Sequence, residues 1–77
     1  MIKNLKARMI IRALKADGFN LIQQSGSHRI FKHKDGRMVV VAYHHLGETI
    51  PIGTLEAIID SAEWSEKDLI RLKLKKR

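Results

Sequence analysis

Glycine-centred breaks at Asp17-Gly18, Ser25-Gly26-Ser27 and Asp35-Gly36 do most to limit what this chain can become. They divide its middle into short stretches, each of which reads as a strand. Gly18 can take the left-handed conformation that ends a helix. Ser25-Gly26-Ser27 is a short turn of small residues, and Asp35-Gly36 is a two-residue hairpin signal. The strands are expected over Phe19–Gln24, His28–Lys34 and Arg37 or Met38 to Tyr43. Connections this short join antiparallel neighbours. Along the first strand, alternation puts Phe19, Leu21 and Gln23 on one face and Asn20, Ile22 and Gln24 on the other. The run Val39-Val40-Val41 suggests the centre of a sheet, or a strand partly covered on both faces.

Helical patterns flank these strands. Ala7, Ile10, Ile11 and Leu14 recur on one helical face, predicting a helix over Met1–Ala16 whose remainder carries Lys3, Lys6, Arg8, Arg12 and Lys15. Pro51 suits the first turn of a second helix, and Leu55, Ile58, Ile59 and Ala62 give it an apolar face. Ser65 followed by Asp68 resembles a helix N-cap with an acidic first turn. Leu69, Ile70, Leu72 and Leu74 make a short third helix, Trp64 should fix the junction before it, and Lys73–Arg77 should fray. The class is α+β: helix, three antiparallel strands, helix and an appended short helix, with both main helices on one face of the sheet. At 77 residues this is a single domain. Its core is expected over about residues 7–64, with 65–77 as a helical extension.

Charge narrows the partners. Fifteen Lys and Arg against eight Asp and Glu leave +7, with pI near 10.2. So basic a small domain favours a polyanion: nucleic acid first, then anionic lipid or an acidic protein. The absence of cysteine excludes disulfides and thiolate zinc sites and is compatible with a reducing cytosol. No apolar run approaches the ~20 residues of a membrane span. Charges interrupt the first residues throughout, unlike a signal peptide. A soluble, cytoplasmic chain is expected.

The histidines are the side chains that titrate near neutrality. His28 opens a basic strand just after the small-residue turn. RNA supplies its own nucleophile, the ribose 2′-OH, so its cleavage needs a base, an acid and cations for the charge on phosphorus. A histidine suits either proton role. By residue type alone, a lone histidine in a basic domain more often fills a polar strand position than moves protons. Gly26, Ser27 and the backbone N–H groups near them could approach a phosphate. Arg29, Lys32, Lys34 and Arg37 make the hairpin basic, although alternation spreads them over both faces. His44 and His45 point to opposite sides if extended. Either of them, or a lysine, could be the second proton-transfer group. His33 is expected to be solvated at the hairpin tip. With no cysteine and no helical histidine pair, zinc has little support.

Taken together, Gly18-Phe19, Gly26-Ser27-His28-Arg29-Ile30-Phe31, His44-His45 and Ile50-Pro51-Ile52-Gly53-Thr54-Leu55 through Ile58-Ile59 and Ala62 resemble the HicA (YcfA-like) toxin family. The likeness covers about residues 7–66. It implies a double-stranded-RNA-binding-domain-like α-β-β-β-α fold and an mRNA interferase, an endoribonuclease that needs no metal or other cofactor. It also implies a HicB-type antitoxin as protein partner, mRNA as substrate, and no direct DNA contact by this chain. The family's catalytic histidine falls on His28, and Gly26 and Ser27 match the motif leading into it. Gly53 should permit close packing at the second helix and Leu55 should enter the core. Ala42-Tyr43 stands where many members carry a proline. A non-catalytic double-stranded-RNA-binding module is the alternative, and a basic surface that docks an acidic protein is compatible with the ribonuclease reading.

Overall fold

A computed structural model of the chain describes residues 4–76. In chain order the elements are β1 (Leu5–Lys6), α1 (Ala7–Ala16), β2 (Phe19–Ser25), β3 (His28–His33), β4 (Met38–Ala42), β5 (Thr49–Ile50), α2 (Ile52–Ala62) and α3 (Glu66–Arg71). Strands β2, β3 and β4 form an antiparallel sheet in that spatial order. This is the expected α-β-β-β-α order with its short terminal helix. Helix α1 packs over β2 and α2 over β4, both on one side of the sheet. Ala7, Ile10 and Leu14 of α1, Phe31, Val39 and Val41 of the sheet, and Leu55, Ile58 and Ala62 of α2 are buried between them.

Several boundaries differ from the sequence reading. Helix α1 begins at Ala7, because Leu5 and Lys6 pair with Ile50 and Thr49 instead of coiling. The Ala7 and Arg8 N–H groups donate to the carbonyls of Glu48 and Leu46, which satisfies the helix start without a side-chain cap. Met1–Lys3 of the expected helix lie outside the described residues. In β2 the register shifts between Leu21 and Gln23. Gln23 consequently pairs with Ile30 and leaves the face of Phe19 and Leu21, where simple alternation had placed it. The valine run lies on an edge strand, with β3 at the centre. Val39 and Val41 are fully buried while Val40 is 50% exposed.

The β3–β4 connection is also longer than a two-residue loop. His33 N–H donates to Arg37 O, and Gly36 N–H to His33 O. The loop is thus Lys34-Asp35-Gly36, with Gly36 at φ 103° in the left-handed bulge position of a three-residue hairpin. Pro51 sits one residue before α2. The C-terminal segment does not hang free: Leu72 and Leu74 are buried, and Lys75 pairs with Glu66. Arg77 lies outside the described residues. Among the described residues no helix is long and apolar enough to cross a membrane.

Candidate functional site

Ser25 and His28 face each other across the β2–β3 hairpin, so its loop is only Gly26-Ser27. Gly26 has φ 60° and Ser27 has no positive φ, which makes this a type II′ turn with glycine at its first central position. A Cβ on Gly26 would meet nothing within 4 Å. The glycine therefore answers a backbone need, and the outside of the turn is open. This turn delivers His28 as the first residue of β3, opposite Ala42 of β4.

Strand alternation then sorts the side chains. His28, Ile30 and Lys32 lie on the face without helices, across from Ala42, Val40 and Met38. His28 and Lys32 are exposed, and Met38 and Val40 are about half exposed. Among the described residues the His28 ring takes part in no side-chain hydrogen bond, in contrast to His33. The open face thus presents an imidazole, a lysine and an aliphatic floor.

The four cations expected to meet RNA divide into two kinds. Lys32 and Lys34 are exposed. Arg29 and Arg37 are half-buried, and their guanidinium groups are engaged within the chain. Arg29 Nη1 donates to Ser27 O (3.0 Å) and Tyr43 O (2.6 Å), and the guanidinium lies 3.8 Å from the Tyr43 ring centroid. Arg37 Nη1 donates to Ala62 O (2.6 Å) and Asp17 Oδ2 (3.2 Å), and its Nε to Asp35 Oδ2 (2.8 Å). Both arginines, expected from the sequence among the RNA-binding cations, thus have partners within the chain. The signal for Arg29 was available, since it must face away from its neighbour His28.

His33 is not solvated as expected; its side chain is only 13% exposed. Its Nε2–H donates to the Asp17 carbonyl (2.8 Å), and Nδ1 lies 3.1 Å from both the Asp35 N–H and the Asp35 carboxylate. Nδ1 therefore has a partner whether or not it is protonated. The ring stands edge-on to Phe19 with centroids 5.2 Å apart. His44 and His45 are exposed in the loop leaving β4. Glu48 braces that loop: its Oε1 accepts from His44 N–H (2.9 Å), and its own N–H donates to His45 O (3.1 Å). The bond from His44 N–H is the main cause holding the Glu48 carboxyl below its usual range. Among the described residues no three His, Cys, Asp or Glu side chains gather as a metal site.

Asp17, which the sequence showed only as a helix end, ties distant segments together. Its carboxylate accepts from Trp64 Nε1 (2.9 Å), Arg37 Nη1 (3.2 Å) and Arg71 Nη2 (3.0 Å). Burial pushes this carboxyl up, but the bonds from Trp64 and Arg71, with the charge and bond of Arg37, outweigh burial and hold it below the usual range.

Comparison with protein families finds that the model for the HicA toxin of bacterial toxin–antitoxin systems matches residues 7–64. No curated protein matches the chain.

Proposed function

Given that the chain belongs to the HicA toxin family, we propose that it is an mRNA interferase in which His28 is the general acid or base. The supporting observation is the placement of His28. Its exposed ring, without an internal hydrogen bond, stands at the mouth of a type II′ turn on the one sheet face that no helix covers. Cleavage then asks little of the protein. The ribose 2′-OH loses its proton and attacks the adjacent phosphorus, and the leaving 5′-oxygen takes up a proton. His28 performs one of these transfers, and His44 is the candidate for the other. The β4 strand direction carries His44 two residues beyond Ala42, the cross-strand partner of His28.

Distance separates the cations by role. Lys32 lies four residues along β3, about 13 Å from His28 at about 3.3 Å per residue. That spacing suits a neighbouring phosphate and not the reacting one. The reacting phosphate instead meets Gly26 and Ser27, where the open outside of the turn lets a ligand come close to the backbone N–H groups. Lys34, exposed in the next loop, extends the same grip. An antitoxin of the HicB type that covered the open face would block all of these contacts together.

The test is RNA cleavage at pH 6–8 in EDTA by the wild-type chain and by His28→Ala. General acid–base catalysis is worth roughly 10²–10⁴-fold, so the variant should lose at least about 100-fold in rate while melting at the wild-type temperature. Equal cleavage by a folded His28→Ala protein sinks the assignment. Salt-dependent RNA binding with no cleavage by either protein would favour the non-catalytic binding module.

A further inference from the structure

Resting on that ribonuclease reading, we propose that Arg29 is a positioning residue that sets His28 against the exit of β4, and that it makes no contact with RNA. The ladder between β3 and β4 ends at His28 and Ala42. One step beyond, Tyr43 N–H still donates to Ser27 O at 3.0 Å. In an antiparallel pair of this kind the two residues normally exchange both bonds. The return bond from Ser27 N–H to Tyr43 O is missing among the backbone bonds of the described residues. Arg29 Nη1 takes its place, reaching Tyr43 O at 2.6 Å.

The same nitrogen donates to Ser27 O at 3.0 Å, so that carbonyl accepts both a backbone and a guanidinium proton. The Ser27–His28 peptide is thereby fixed on one side of the clamp and the Tyr43–His44 peptide on the other. These two peptide units carry His28 and the start of the loop that bears His44 and His45. The planar guanidinium also lies over the Tyr43 ring at 3.8 Å. A lysine at this position cannot reproduce the arrangement, because a point charge on a flexible stem does not stack as a plane while bridging two carbonyls. Strand alternation puts Arg29 on the helix-covered side of the sheet, away from His28 and Lys32, and commits its Nη1 to the Ser27 and Tyr43 carbonyls.

Displacement of a catalytic group by about 1 Å can cost on the order of 100-fold in rate. For Arg29→Lys and Arg29→Gln the expected result is therefore a fall in kcat of roughly 10–100-fold with KM for RNA within about twofold of wild type. The slope of log binding constant against log salt should not change. Amide exchange of Tyr43 should quicken at least about tenfold while core amides such as Phe31 and Leu55 keep their protection. Arg29→Lys serves as the milder variant, and thermal melting shows that each protein is folded. Weaker RNA binding with a salt slope reduced by about one would make Arg29 a phosphate contact and overturn the proposal. Wild-type kcat together with wild-type Tyr43 exchange would also overturn it. His28→Ala run beside these separates the two readings. If it cleaves like wild type the catalytic assignment of His28 fails, and Tyr43 exchange still decides the clamp.

Discussion

Gly18 and Gly53 differ in what a methyl group would meet. Gly18 has φ 99°, and a Cβ there would lie 2.9 Å from His33 Nε2. Gly18→Ala should cost about 2–3 kcal/mol, combining the left-handed backbone penalty with a displaced His33 hydrogen bond. At Gly53, in the first turn of α2, a Cβ meets nothing within 4 Å. The close packing expected of Gly53 from its motif is absent, so Gly53→Ala should raise stability by up to about 1 kcal/mol. Urea midpoints at constant m would read both changes. The same contrast shows what was legible at this scale. The turn and the imidazole stood out in the sequence, as did the entry of Leu55 into the core. The bonds from His33 and Arg37 to Asp17 did not, since Asp17 is sixteen and twenty residues away respectively. No local pattern encodes such a pairing.

Among the secondary-structure elements, α2 and α3 end alike and without glycine. Glu63 N–H donates to Asp60 O and Trp64 N–H to Ile59 O; Lys73 N–H donates to Ile70 O and Leu74 N–H to Leu69 O. Each is a Schellman motif, with a left-handed residue, Glu63 at φ 57° or Lys73 at φ 63°, followed by a buried apolar one. Glycine at either position removes the steric penalty of the left-handed conformation. Glu63→Gly and Lys73→Gly should each add about 1 kcal/mol of stability, seen as a higher melting temperature without any change in activity. The start of α3 was readable, because Ser65 and Asp68 form the reciprocal capping box that their spacing suggests. Its end was not, because the usual glycine is missing. Strands β1 and β5, two residues each, are too short to show a period, and their pairing shifted the start of α1.

For the whole molecule, Asp17 joins the end of α1 to the β3–β4 hairpin and to α3 through Arg37, Trp64 and Arg71. Its side chain is 10% exposed, so loss of the charge matters. Asp17→Asn should cost about 2–4 kcal/mol, since it leaves two arginines short of a partner. The pH dependence has a definite sign. A carboxyl held lower in the folded state than its unfolded value, near 3.9, contributes stability that is complete above about pH 5. That contribution is lost as pH falls through about 4 toward the folded pKa. Asp35, Glu48, Glu66 and Asp68 are held low as well and act in the same direction. Denaturation followed from pH 7 to pH 3 should show a steep acid limb in the wild type and a shallower one in Asp17→Asn.

The bond from Trp64 to Asp17 gives the chain an optical handle. Trp64 is its single tryptophan, 6% exposed, edge-on to Phe19 at 6.5 Å. The indole sits by the His33 end of β3, while His28 occupies the other end of that strand. Its fluorescence therefore reports the seating of α3 on the rest of the domain. The colour of that emission belongs to folding, and occupancy of the turn at Gly26 and Ser27 must be followed with a label of its own.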